Sequence, residues 1–263
     1  MMKKMTLITA VMAGCFYAVA ALAAASDPVE ITAQKSLEWN RAKQTYTARG
    51  EAQAKQGALS VASDVLTAAY DSKGGGTNIT TLTAEGNVKV TSNGYSATGD
   101  KAVYTVATGH AVLTGEKVQM TTPDTVVTAK NDIVFDRDNN SLTAEGGAVA
   151  TRGADRLNAE SMTAFFKNTE GSGALTLDHI TAKGGVTIKT AKETITGSSA
   201  LYDLTAKKAG MEGPVKVIQG ENTLEGTRAE IDLTTGISRL FGGATTPAGG
   251  GRVKGVFYPT KKQ

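Results

Sequence analysis

The sequence holds very little that could carry covalent or redox chemistry. Its one cysteine, Cys15, lies within the first 25 residues, and only two histidines occur, His110 and His179. Without a second thiol there is no disulfide framework and no metal–thiolate centre. Neither histidine has a Cys or His neighbour at ligand spacing, so no metal site and no cofactor are expected. No G-x-S-x-G, H-E-x-x-H or Walker pattern is present, and "KGGGTN" (73–78) lacks the Lys-Ser/Thr ending of a phosphate loop. An enzyme is the least expected class. Charge of one sign is missing too: 28 basic residues stand against 25 acidic ones, which argues against broad electrostatic binding to nucleic acid. Aromatics are sparse, with 6 Phe, 7 Tyr and 1 Trp, and there are only 5 prolines.

Long apolar runs are absent except at the start. Lys3 and Lys4 precede an apolar stretch from Met5 to Ala21, and small residues follow at "ALAAAS" (Ala21–Ser26). A charged lead, an apolar middle and an A-x-A ending predict a cleaved secretory signal over residues 1–25. Cleavage would leave 238 residues (263 − 25), enough for a substantial core in one or two domains.

What the body does contain is Thr, Val, Ala and Gly in a recurring order. Glycines recur at Gly50 (TARG), Gly86 (TAEG), Gly115 (LTG), Gly146 (TAEG), Gly184 (TAKG), Gly213 (MEG) and Gly242 (LFG). A second half-motif follows six of them: Leu59–Asp71, Tyr95–Thr105, Val126–Asp136, Leu157–Lys167, Ile195–Asp203 and Leu224–Asp232. Six ordered copies define a repeat architecture, and β-branched residues broken by Gly, Asn and Asp make it all-β. Matching positions also stand 96 to 98 residues apart, as at Gly86 and Gly184. Tandem duplication of a three-unit module accounts for that spacing. It predicts one module over 26–136 and a second, continuous with it, over 137–263.

Side chains alternate between faces along a strand. In "LTAEGNVKV", Leu82, Ala84, Gly86, Val88 and Val90 therefore share an apolar face, and Glu85 faces water. This puts Gly86 in an inward slot. Ile180, Val186 and Ile188 repeat the pattern, as do Val215 and Val217. In the third unit Leu113 is in phase but Met120 is one residue out, which predicts a bulge near Glu116–Lys117. Five of the six second half-motifs change phase midway, and the Val126 unit does not. A one-residue slip reverses every later side chain, so the chain must turn a corner there and pass into a facing sheet. With about one strand added to each wall per unit, six units at ~4.8 Å give an interior roughly 30 Å long. The inward aromatics are Tyr70, Tyr104, Phe135, Phe166 and Tyr202, and Ile231 lies on the same face. So light a lining leaves two outcomes open, an open groove or closure on small residues. Polar-face lysines such as Lys89, Lys101 and Lys216 fit either plain solubility or contact with phosphates.

"DPVEITAQKSLEW" (Asp27–Trp39), "YTARGEAQAKQGALSVASDVLTAAYD" (Tyr46–Asp71) and "YSATGDKAVYTVATGHAVLTGE" (Tyr95–Glu116) resemble the OstA-like family of lipopolysaccharide transport proteins, the LptA family. The ending "GRVKGVFYPTKK" (Gly251–Lys262) is similar to the basic tail of that family. The resemblance implies an elongated, open β-jellyroll in the periplasm whose groove holds lipid A acyl chains. It would link an inner-membrane LptC-like partner to an outer-membrane LptD-like partner, with head-to-tail self-association as a further possibility. The groove lining would comprise the inward residues named above. Val29 and Ile31 would form one partner edge, and Val253 and Phe257 the other. A second OstA-type module is the departure from the family pattern. Two alternatives stay open: a structural, adhesin-like β-solenoid with a closed core, and a sister component of the LptC type.

Overall fold

In a computed structural model, the described residues are 29–72, 78–168, 175–243 and 251–258, and every regular element among them is a β-strand. The predicted signal (1–25) lies outside them, as do most of the two long connections at 72–78 and 168–173 and the last five residues. The first four strands are β1 (Glu30–Thr32), β2 (Ser36–Asn40), β3 (Thr45–Gln56) and β4 (Leu59–Asp71). Next come β5 (Asn78–Ser92), β6 (Tyr95–Thr105), β7 (His110–Thr114), β8 (Val118–Thr121), β9 (Val126–Ala129) and β10 (Asp132–Asp136). The remainder are β11 (Ser141–Arg152), β12 (Asp155–Asn168), β13 (Leu175–Lys189), β14 (Thr194–Asp203), β15 (Lys208–Gln219), β16 (Asn222–Asp232), β17 (Ile237–Phe241) and β18 (Lys254–Val256).

All 18 strands belong to one antiparallel sheet. They make 14 rungs, because β1 with β2, β7 with β8, β9 with β10, and β17 with β18 are each two halves of one rung (18 − 4). Each rung bends in the middle. The ladder registers slip there, between Arg49 and Ala52, Ala62 and Val65, Glu85 and Val88, and again between Glu145 and Ala148, Lys183 and Val186, and Glu212 and Val215. One half of every rung builds a first wall, the other half builds a facing second wall, and the bends make a crease between them. No ladder joins the two free rims among the described strands.

The second half-motifs are the return strands. Two of them, Leu59–Asp71 and Tyr95–Thr105, coincide with β4 and β6 residue for residue. The predicted corners fall at the register slips. The Val126 unit keeps its phase because its corner is a break: Val127, Ala129, Ile133 and Phe135 all face inward across the gap between β9 and β10. The bulge expected near Glu116–Lys117 is likewise a full break, between β7 and β8.

Two expectations are corrected. Each unit adds two strands to each wall, one outgoing and one returning, so 14 rungs at ~4.8 Å extend over about 60 Å rather than 30. Gly86 does not take an inward slot. It is the corner, in the left-handed region at φ +76°, and Asn87 follows at +48°. A Cβ on Gly86 would meet the Asp64 carboxylate on the neighbouring strand at 2.2 Å. The TAEG-type glycines at 50, 146, 184 and 213 take the same backbone region.

The aspartates that end the half-motifs have a local purpose. Asp136, Asp203 and Asp232 accept backbone N–H bonds from Asn139 (3.1 Å), Ala206 (2.7 Å) and Thr235 (2.9 Å), closing the tight turns of one rim. Those bonds hold Asp136 and Asp232 below the usual carboxylate range, led by the Asn139 side-chain bond and the Thr235 backbone bond respectively. Bonds recur at the same spacing. Val106 donates to the Thr80 carbonyl and Leu204 to the Asp178 carbonyl, both at 3.0 Å and 98 residues apart. One buried cluster runs from Ala84 through Met162 to Val215, crossing the 136/137 position without interruption.

Candidate functional site

The inner faces of the two walls form a trough. Tyr46 and Ala48 on β3, Leu82 and Ala84 on β5, and Ala102 and Tyr104 on β6 face Val61, Val90 and Ala97 across it. They line a cavity of about 190 Å³ in the N-terminal half, with no charged side chain in its lining. A second cavity, of about 320 Å³, lies between β12 and β18. Its apolar lining includes Ile195, Ala200, Met211, Leu224 and Leu240, and polar groups join it at Glu193, Gln219, Asn222, Ser238 and Arg239.

The sixteen expected lining residues and the four expected edge residues, Val29, Ile31, Val253 and Phe257, divide into three groups. Val29, Ile31, Leu82, Val90, Tyr104, Leu113, Met120 and Phe135 line the first cavity. Ile180, Ile188, Tyr202, Val217, Ile231 and Phe257 line the second. Six line neither: Val88, Val186 and Val215 lie 1% exposed along the crease, Tyr70 and Phe166 are buried in the walls, and Val253 is exposed. The sequence reading missed Leu37, Ile79 and Leu142 in the first cavity and all five polar residues in the second. Periodicity finds apolar positions and is blind to a polar group that reaches a cavity from its rim.

Both ends of the ladder leave a strand edge without a partner among the described residues: β1 and β2 pair only with β3, and β17 and β18 only with β16. Of the ten exposed large apolar side chains among the described residues, seven lie at these ends: Val29, Leu37 and Trp39 at one, Ile237, Val253, Phe257 and Tyr258 at the other. Exposed apolar residues on unpaired edges mark surfaces that associate. At the first end Trp39 is stacked on Tyr46 with Arg41 4.1 Å from its ring. At the second the Tyr258 N–H donates to Asn222 Oδ1 at 2.9 Å.

The outer faces are polar and paired. Glu85 bonds Lys101 at 2.8 Å and Lys216 meets Glu225 at 3.3 Å, all about half exposed. Asp178 gathers His179 Nδ1 (2.9 Å), Lys167 Nζ (3.1 Å) and the Thr205 hydroxyl (3.0 Å), and His179 stacks on Phe165. The His179 bond, then Lys167, pulls the Asp178 carboxyl down to about 2. This cluster ties β12 and β13 to the turn after β14. Among the described residues no three metal-ligating side chains converge.

The trough is thus one-sided and mostly apolar, with charged side chains only in the second lining, and its end strands are unpaired on one edge among the described residues. Comparison with known proteins agrees. The family described as LptA/(LptD N-terminal domain) LPS transport protein matches twice, at residues 30–140 and 127–237, and the chain belongs to that family. Among solved structures, the chain is similar to LptH from Pseudomonas aeruginosa, the LptA-homologous periplasmic component of its lipopolysaccharide transport device. The identity is 14%, with 89% of this chain and 96% of that chain covered at a TM-score of 0.21. No curated protein matches the chain.

Proposed function

We propose that this protein is a periplasmic carrier that holds the acyl chains of lipid A in its trough and bridges an inner-membrane export complex to an outer-membrane translocon. The observation that carries the reading is the trough itself: an apolar interior with a cavity in each half of the ladder, and end strands left with a free edge among the described residues. Membership of a lipopolysaccharide transport family supports it. Burial of acyl surface supplies the affinity, at about 25 cal/mol per Å² removed from water, and no covalent step is needed. Residues 1–25 act as the export signal and are removed. The β1 edge, with Val29 and Ile31, receives an LptC-like partner. The far edge, with Val253 and Phe257, meets an LptD-like jellyroll or the next copy of this chain. Modules 26–136 and 137–263 act as one continuous support.

Photo-crosslinking tests the reading in cells. A photoreactive residue in place of Tyr104 or Tyr202, one in each cavity lining, should give lipopolysaccharide adducts. A persistent lack of adducts at both, in cells that still export lipopolysaccharide, rules the carrier out.

A further inference from the structure

We propose that the trough is two separate hydrocarbon sites divided by a packed neck, so that one molecule holds two lipid acyl chains side by side along its length instead of one chain in a continuous channel. The inference rests on the carrier reading above and adds the number, the division and the chemical difference of its sites.

The two cavities share no lining residue. The first ends at Phe135 on β10 and Leu142 on β11, and the second begins at Leu157 on β12 and Ile180 on β13. Between them lie five buried side chains. Val127 and Ala129 of β9, Ala148 and Ala150 of β11, and Met162 of β12 belong to neither lining and are at most 3% exposed. Ala148 and Ala150 are fully buried at 0%, and Met162 is the largest side chain that is wholly enclosed. Methyl-sized side chains let two sheets approach until one flexible thioether fills what remains. The light lining of this chain therefore has both outcomes in one molecule: it closes at the centre and opens on either side.

Each opening has room for hydrocarbon. Dry apolar cavities of about 150 Å³ lined by Leu, Ile and Phe take up small hydrocarbons, and these two measure about 190 and 320 Å³. Their chemistry differs. The first offers aliphatic and aromatic surface with no charged group, only the hydroxyls of its threonines and tyrosines. The second carries Arg239 and Glu193 in its lining with Gln219 and Asn222, and Arg239 has no ion pair among the described residues. The second site thus suits the acyl chain that lies next to an anionic headgroup, and the first suits a chain remote from any charge.

The test uses the mature chain and dodecanoate, a single saturated chain with one carboxylate. Native mass spectrometry should count two molecules per protein at saturation. Ala102→Trp, which fills the first cavity, and Ala200→Trp, which fills the second, should each remove one and leave the other. A diazirine-bearing dodecanoate on the wild-type chain provides a measurement independent of these variants: adducts should map to both the β5–β6 and the β14–β16 peptides, with doubly labelled molecules present. One molecule per chain, or two that are lost together in either variant, overturns the division while leaving the carrier reading intact. No binding of dodecanoate at all, together with no lipopolysaccharide adducts in cells, overturns both.

Discussion

The indole N–H of Trp39 donates to the phenol oxygen of Tyr70 across 2.7 Å, joining two rungs 31 residues apart. Tyr46 lies between them, its ring 5.7 Å from Trp39 and 5.1 Å from Tyr70. This cluster closes the first end of the second wall. Because Trp39 is the only tryptophan, its emission reports on this end alone.

Tyr70→Phe removes the acceptor and keeps the ring. A half-buried hydrogen bond contributes about 0.5–1.5 kcal/mol, so the variant should lose about that much in denaturant melts and shift the Trp39 emission. An unchanged spectrum would mean that the bond does not form in solution.

Gly86 and Gly94 both sit at positive φ, +76° and +83°, but only Gly86 has a neighbour where a Cβ would stand. Gly94→Ala should cost about 1–2 kcal/mol, the penalty of a left-handed backbone. Gly86→Ala should cost more, because the Asp64 carboxylate must also move and its bond from the Asn87 side chain, 2.9 Å, is disturbed. Equal losses in urea unfolding would remove the corner its special role.

The strand walls were legible in the sequence because burial writes period two onto every strand, and the corners because a bend must shift that period by one. Whether an outgoing strand turns with two left-handed residues or simply breaks was not legible: Gly86–Asn87 and Gly115–Glu116 look alike in sequence, yet β5 runs through its corner while β7 stops. The two walls are as expected, but each holds twice the expected strands, because two half-motifs require an outward and a return path. The buried stretch between the cavities is not legible for a different reason. Ala148 and Ala150 share the inward parity of Val88 and Val90, and only the distance between walls decides which of them touches open space.

Glu85 and Lys101 stand directly opposite on β5 and β6, each about half exposed. A double-mutant cycle with Glu85→Ala and Lys101→Ala should give a coupling under about 1 kcal/mol that fades with added salt. Lipopolysaccharide adducts at Tyr104 should be unaffected. Loss of those adducts in Glu85→Ala would make the repeated acid part of the site instead of the scaffold.

Asp178 titrates lower in the folded chain, at about 2, than its ordinary 3.8. The unfolded chain therefore binds this proton first as pH falls. The stabilisation is complete above about pH 4 and is lost as the pH falls from there to about 2. Asp178→Asn should be less stable than wild type at pH 6, and the gap should narrow through that window. A gap that stays constant from pH 6 to pH 2 would show that the cluster works by shape alone. Because Asp178 is one-third exposed, the gap should also shrink in high salt.

Every rung is bonded only to the rungs before and after it in the chain, from β3 to β16. Among the described strands, no distant one returns to lock the assembly. In such a quasi-linear array stability passes from neighbour to neighbour, and opening begins at the ends. Amide hydrogen exchange should accordingly be fastest in β1, β2, β17 and β18 and slowest at the alanine-lined centre, where β11 and β12 meet. The two end rungs, where the strand edges lie unpaired among the described residues, are thus the cheapest segments to melt, and the stretch between the two cavities is the last to yield.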